Sequence, residues 1–316
     1  MIITTFILFL ISCIILILAG TWLVRSLSGI ASFLKMNEFI VAYIIMAFST
    51  SLPELMVGIL SGIQKSNSLA LGTVIGSNIA DITLILGIVT LVGKGIQAKE
   101  KYIIENSRYM IVIAIIPFIL MIIGREISRW DGLVLIILYI IYMYQLVKRK
   151  GNKHKLKNTI TKIQSIGYTL LFVLSMFLLF KSAEYVVFYG QELAAELLLP
   201  PILIGLFFVA IGTSLPELAF ESRAVQKGHS EMALGDCIGS VVANSTLVLG
   251  VSAIINPITA AFNLFLISGI FMIFSLFLFW TFLESGYKLS AKEGIVLIFL
   301  YLLFVIIELT LKGVLA

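Results

Sequence analysis

A 41-residue block occurs twice in this chain, and its polar residues are the ones that survive. The first copy, AFSTSLPELMVGILSGIQKSNSLALGTVIGSNIADITLILG, begins at Ala47 and ends at Gly87. The second, AIGTSLPELAFESRAVQKGHSEMALGDCIGSVVANSTLVLG, begins at Ala210 and ends at Gly250. They align without a gap at an offset of 163, with 18 of 41 positions identical. Two unrelated apolar segments would match Leu with Leu or Ile with Val. Here the matches include Thr50/Thr213, Ser51/Ser214, Pro53/Pro216, Glu54/Glu217 and Ser77/Ser240, groups that hydrocarbon disfavours.

The blocks sit in a chain of 316 residues that is 60% hydrophobic and 12% charged, the composition of a polytopic membrane protein. Apolar spans are expected near 3–24, 38–62, 69–92, 102–123 and 130–147, then near 163–189, 200–225, 232–255, 262–283 and 292–311. Five spans per half is an odd number, so the second half enters the membrane from the opposite side. The expected fold is therefore all-α, with ten transmembrane helices in two inverted five-helix repeats, the arrangement common in secondary transporters. The halves are 1–147 and 163–316, joined by a basic linker over 148–162 (KRKGNKHKLKNTITK) with seven Lys and Arg. With that linker in the cytoplasm the N-terminus lies outside, and 17 of the 22 Lys and Arg fall on the linker side. The net charge of +5 is thus a topology signal, and no nucleic-acid partner is expected.

Cys13 and Cys237 fall in spans and read as packing residues. The first 20 residues lack a basic n-region and a small-residue cleavage site, so they read as a retained span.

Each copy of the block carries two polar pairs at a spacing of four, Thr50–Glu54 and Ser77–Asp81, then Thr213–Glu217 and Ser240–Asn244. That spacing puts both members on one helix face. Ser51 and Ser214, three residues before each Glu, share its side. Pro53 and Pro216 remove a backbone donor in mid-span and should free carbonyls over 47–50 and 210–213. Hydrocarbon tolerates free carbonyls only where something else satisfies them. Glu54, Asp81 and Glu217 would cost about 2.5–3.5 kcal/mol each at mid-membrane, on the order of 8–10 kcal/mol together. No basic residue of the block lies at their depth, which leaves cations or protons as the compensating charge. Oxygen-only donors suit Ca²⁺ or Na⁺, and no His or Cys cluster supports a softer metal. Gly72, Gly76 and Gly87, matched by Gly235, Gly239 and Gly250, allow close helix approach.

Other charges read as structural. Asp236, opposite Thr73 in the alignment, is expected to favour the start of the eighth helix through its dipole. Glu221 and Arg223 read as a solvated helix end, with the lining of a cytoplasmic entry funnel as the alternative, Lys181 and Glu184 as an i,i+3 ion pair, and Glu308 receives no role.

At TSLPE (Thr50 to Glu54 and Thr213 to Glu217) and at the Gly-Ser-x-x-x-Asp/Asn pattern (Gly76 to Asp81, Gly239 to Asn244), the sequence resembles the cation/Ca²⁺ exchanger superfamily, specifically its prokaryotic sodium/calcium exchanger branch. The resemblance covers essentially the whole chain. It implies an Na⁺/Ca²⁺ antiporter of the cell membrane that works by alternating access, with no cofactor beyond the transported Ca²⁺ and Na⁺. Ions would bind between the second, third, seventh and eighth helices. Glu54 and Glu217 would be central ligands, and Thr50 and Thr213 would offer carbonyl oxygens to Ca²⁺. Ala47, Ser51, Ser77, Ala210, Ser214 and Ser240 would complete Na⁺ positions, with Asp81 and Asn244 facing the middle. The chain departs from the family in three ways. Ser49 stands where the second copy has Gly212, a change expected to stiffen the first bend. Asp lies on the third helix and Asn on the eighth, where archaeal exchangers of this type carry the reverse. Thr21 matches Glu184, so the first and sixth helices are not equivalent.

A Ca²⁺/H⁺ exchanger on the same fold, or a K⁺-dependent one, is the nearest alternative, because three carboxylates can load protons. A passive channel fits an inverted repeat with broken helices less well. An enzyme is not expected: an intramembrane aspartyl protease needs two apposed Asp residues, and apart from Asp131 at the edge of the fifth span the spans offer only Asp81 and Asp236, the latter in a bare Gly-Asp dipeptide.

Overall fold

The apolar spans form helices that surround a pair of broken, polar ones. The structure is a computed structural model that describes residues 2–34, 45–98, 101–148, 160–259 and 262–311. Among these, nine helices are long and apolar enough to cross a membrane. The helices are α1 (Ile2–Phe33), α2 (Ala47–Thr50 continued by Leu52–Ile63), α3 (Asn67–Val92), α4 (Lys101–Gly124), α5 (Arg129–Lys148), α6 (Lys162–Glu196), α7 (Pro201–Gln226), α8 (Ser230–Ile255), α9 (Phe262–Gly286) and α10 (Ala291–Leu311). The expected span over 38–62 is described from Ile45 onward, and most of the basic linker lies outside the described residues. The protein is thus a multi-pass integral membrane protein.

The halves are related by a pseudo-twofold operation that the packing repeats pair by pair. Gly87 of α3 lies against the Gly294 carbonyl of α10, and Gly250 of α8 against the Gly132 carbonyl of α5. Two short antiparallel ribbons, unexpected in an all-α chain, tie the halves together. β1 (Ile96–Gln97) pairs with β4 (Lys288–Leu289), and β2 (Glu126–Ile127) pairs with β3 (Ile258–Thr259). The first ribbon lies at the linker end of the bundle and the second at the opposite end. Helix starts match as well. Ser128 bonds with Asp131 before α5, and Ser290 with Glu293 before α10, each satisfying a first-turn N–H.

α1 and α6 are longer than the hydrophobic pattern suggests, at 32 and 35 residues. At 1.5 Å per residue they reach about 48 and 52 Å, beyond a hydrocarbon core of roughly 30 Å. They pack on each other, with Gly29 against Tyr168 and Gly190 near Phe9. α1 also rides over both bends: a Cβ on Gly20 would lie 2.9 Å from Pro216 Cγ and 3.1 Å from Pro53 Cγ.

α3 and α7 cross at backbone contact. Any Cβ on Gly72 or Gly76 would collide with the carbonyls of Ile202 or Leu206, and one on Gly205 with the carbonyl of Leu69. Small residues are the only way two membrane helices come this close. Gly72→Ala should therefore lower stability by about 1–3 kcal/mol, whereas Gly124→Ala, with open space around it, should stay within about 0.5 kcal/mol. Thermal unfolding in detergent measures both, and equal effects would contradict the crossing.

Candidate functional site

Both prolines sit where they break their helix without leaving it. The chain runs helical to Thr50, turns at Ser51 (φ −78°, ψ 0°) and resumes at Leu52 with Pro53 in the first turn. The second copy does the same at Ser214 (φ −83°, ψ 0°), Leu215 and Pro216. The bends match in geometry, and the hydroxyl of Ser49, which stands where the second copy has Gly212, turns back to the Ile45 carbonyl. The carbonyls of Ala47 and Ala210 are not left free as the sequence suggests. Ser51 and Ser214 donate their N–H groups to them at 3.3 and 3.0 Å, and the hydroxyls of Thr50 and Thr213 lie 3.3 and 3.2 Å away.

α3 and α8 supply the facing residues and carry a second, unforeseen irregularity. Each contains one π-helical turn, over Asp81–Ile85 and Asn244–Val248. These turns begin at the Asp and Asn that the repeat places opposite each other. A π turn inserts a residue into the helical period and recurs at functional sites.

All twelve sequence-predicted residues are buried, none more than 2% exposed. The threonines and serines meet crosswise. Thr50 Oγ1 of α2 lies 3.1 Å from Ser240 Oγ of α8, and Thr213 Oγ1 of α7 lies 3.2 Å from Ser77 Oγ of α3. Ser77 also reaches Glu54 Oε1 at 3.3 Å. Ser214 lies beside Asp81, although neither completes a hydrogen bond of normal geometry. Glu217 lies within electrostatic range of Glu54 and Asp81. Among the described residues, both oxygens of Glu217 and of Asp81, one of Glu54, the amide of Asn244 and the hydroxyls of Ser51 and Ser214 have no hydrogen-bond partner.

Two residues read as structural from the sequence belong to this cluster. Asp236 does not serve the helix dipole: α8 begins at Ser230, so Asp236 lies beyond the first turn, fully buried, with Thr50 Oγ1 3.3 Å from its Oδ1. Glu221 is not a solvated helix end; it is fully buried with both oxygens unpartnered, while Arg223 beside it is exposed. The signal was present, since Glu221 is four residues beyond Glu217 and Asp236 four before Ser240, one more turn along the same faces. Glu308 is buried too, bonded by Ser268. Lys181 and Glu184 pair at 2.9 Å, as expected. Asp81 and Asp236 lie within electrostatic range but share no hydrogen bond, unlike a protease dyad holding one proton between two carboxyls.

Five carboxyl groups (Glu54, Asp81, Glu217, Glu221 and Asp236) are therefore enclosed together. Among the described residues no Lys, Arg or His pairs with any of them. Enclosed, ionised and unpaired carboxylates cost several kcal/mol each, so their charge must be balanced by cations or protons. The donor set is all oxygen apart from the Asn244 amide nitrogen, which suits a hard cation.

Comparison with known proteins shows the family. The family model "Sodium/calcium exchanger protein" matches residues 4–148 and again 167–310. The chain belongs to the sodium/calcium exchanger family. It is 28% identical to the sodium/calcium exchanger MaX1 of Methanosarcina acetivorans over 97% of this chain and 99% of that protein. It is 29% identical to the putative antiporter CaxA of Alkalimonas amylolytica over 78% and 80%. The solved structure of the sodium-calcium exchanger NCX_Mj soaked with 2.5 mM Na⁺ and 0.1 mM Ca²⁺ superposes with a TM-score of 0.70 at 26% identity, covering 96% of this chain and 98% of that one.

The crosswise hydroxyls make a specific energetic claim. Thr50→Val and Ser240→Ala should each destabilise the protein by about 0.6–1.5 kcal/mol, and the double variant by less than their sum. Unfolding in SDS–detergent mixtures closes that cycle. Strictly additive losses would mean that the two hydroxyls do not meet.

Proposed function

We propose that this exchanger moves Ca²⁺ against Na⁺ by alternating access, with both ions using the buried oxygen cluster between α2, α3, α7 and α8. The observation that carries the reading is Glu54 and Glu217, enclosed at matching bends with no basic partner among the described residues, where Thr and Ser hydroxyls meet crosswise and one of them, that of Ser77, reaches Glu54. The two carboxylates are central ligands, joined by the Thr50 and Thr213 carbonyls when Ca²⁺ is bound. Ala47, Ser51, Ser77, Ala210, Ser214 and Ser240 complete the Na⁺ positions, and Asp81 and Asn244 face the middle. The Thr50 and Thr213 hydroxyls have alternative acceptors, so an ion can take over the Ala47 and Ala210 carbonyls without stranding them.

Coupling follows from charge. Na⁺ and Ca²⁺ neutralise the same carboxylates and so exclude one another, and only a neutralised cluster can be re-enclosed on the other side of the membrane. Each net charge moved in the exchange gains about 2.3 kcal/mol per 100 mV of favourable membrane potential. The relatives named sodium/calcium exchangers support this assignment. A Ca²⁺/H⁺ reading draws on a different observation, that the cluster holds more carboxyls than Glu54 and Glu217, and these can carry protons in place of Na⁺.

⁴⁵Ca²⁺ uptake into proteoliposomes preloaded with Na⁺, with choline or with a proton gradient separates the two. Uptake should require internal Na⁺, and Glu54→Gln and Glu217→Gln should each lower it at least tenfold. Uptake driven by the pH gradient and indifferent to Na⁺ would overturn the choice of coupling ion.

A further inference from the structure

The five enclosed carboxyls are not spread evenly about the pseudo-twofold axis. Glu54 and Glu217 are mates. The other three have uncharged mates: Asp81 matches Asn244, Glu221 matches Gly58 and Asp236 matches Thr73. Gly58 packs against Ser252 and Val248, and Thr73 turns its hydroxyl to the Leu69 carbonyl at 2.9 Å. The first copy therefore has ordinary helix packing where the second has acid.

All three unmatched acids lie on one side. α3 and α7 run toward the linker end and α8 runs away from it, as the β1–β4 and β2–β3 ribbons establish. Asp81 lies one turn beyond Ser77 toward the linker end, Glu221 one turn beyond Glu217, and Asp236 one turn before Ser240. Each is displaced from the central site in that single direction. They sense one another: Glu221 lies within electrostatic range of Asp236 and Asp81, and Asp81 within range of Asp236. The Cys237 thiol stands among them, 3.9 Å from the Asp81 carbonyl.

An acidic cluster alone says little, since it can be solvated or paired. This one is neither. Among the described residues, Glu221 and Asp81 are fully buried with all four carboxylate oxygens unpartnered, and Asp236 has a hydrogen-bond contact with Thr50 alone. On the linker side of Glu221, Val225 of α7 packs against Gly93 just past the end of α3.

We propose that Glu221, Asp236 and Asp81 form a cation subsite on the linker side of the central site, through which a divalent cation passes between that side and Glu54 and Glu217. Among the described residues no three such side chains converge on a single metal position. The subsite therefore takes a cation that keeps part of its water, as Ca²⁺ readily does. Fixed negative charge in a low-dielectric vestibule concentrates cations there. The matching positions toward the opposite side, Asn244, Gly58 and Thr73, carry no charge, so the two faces of the exchanger differ in their capture of Ca²⁺. This inference rests on the central site being an ion-exchange site, and does not depend on which ion is coupled.

The test is sidedness. Wild-type protein, Glu221→Gln, Asp236→Asn and the control Thr73→Val are reconstituted, with orientation read from protease cleavage of the 148–162 linker. Ca²⁺ flux is driven by whichever gradient, Na⁺ or pH, moves it in the wild type. The apparent KM for Ca²⁺ presented at the linker side should rise roughly tenfold more than that at the opposite side in the two acidic variants, and the ratio should not change in Thr73→Val. Glu221→Asp, which keeps the charge, should restore most of the ratio and covers the case in which Glu221→Gln fails to fold. Equal shifts on both faces, or no shift, would overturn the subsite. If neither gradient drives flux in the wild type, the exchange reading itself fails; the subsite is then read from Ca²⁺-dependent thermal stabilisation, which should weaken in Glu221→Gln, and an unchanged stabilisation would overturn it.

Discussion

The structure turns on an unpaid electrostatic debt: carboxylates enclosed in a membrane protein with no basic residue beside them. An arginine or lysine at the level of Glu54 or Glu217 would make a stable salt bridge and end the matter. Its absence among the described residues makes the enclosed state depend on bound cations or protons. Neutralisation and enclosure are then a single event, and a carrier that cannot close empty is one that exchanges. The physical requirement that hydrocarbon imposes on charge is what couples the ions.

The rest of the fold serves to bring these groups together and keep them dry. Glycines let α3 and α7 cross at backbone distance, and that closeness allows Ser77 to meet Thr213. The paired bends at Ser51 and Ser214 place each Thr and Glu at the level of the facing serines. α1 rests on both prolines through Gly20, so a shift of the α1–α6 pair acts on both bends together. The pseudo-twofold axis gives each face of the membrane an equivalent route to the site, and Asp81, Glu221 and Asp236 break that equivalence in one direction.

Much of this was legible in the sequence. The ungapped repeat and the odd number of spans specify an inverted architecture, and the i,i+4 pairs name the residues that the structure encloses, because helix geometry alone fixes which side chains share a face. Three features were not legible. The π turns at Asp81 and Asn244 arise where tertiary packing overrides the regular helical period, and no local sequence preference announces them. The two ribbons involve two-residue strands, too short to leave a period. Glu221 was read as solvated and Asp236 as a helix-dipole residue because carboxylates near helix ends usually serve those roles. Here α7 and α8 continue past the site packed on each other and on neighbouring helices, and burial is a property of those neighbours and not of the residues' own positions.

The central claim is that Na⁺ and Ca²⁺ occupy one enclosed carboxylate cluster and exclude each other. Equilibrium binding of ⁴⁵Ca²⁺ to the purified protein in detergent, titrated with NaCl against choline chloride at constant ionic strength, tests it most directly. The account predicts that Na⁺ displaces all of the specifically bound Ca²⁺, steeply enough to require more than one Na⁺ per Ca²⁺, while choline displaces none. Ca²⁺ that stays bound at saturating Na⁺ would contradict it, since the two ions would then be held at separate sites.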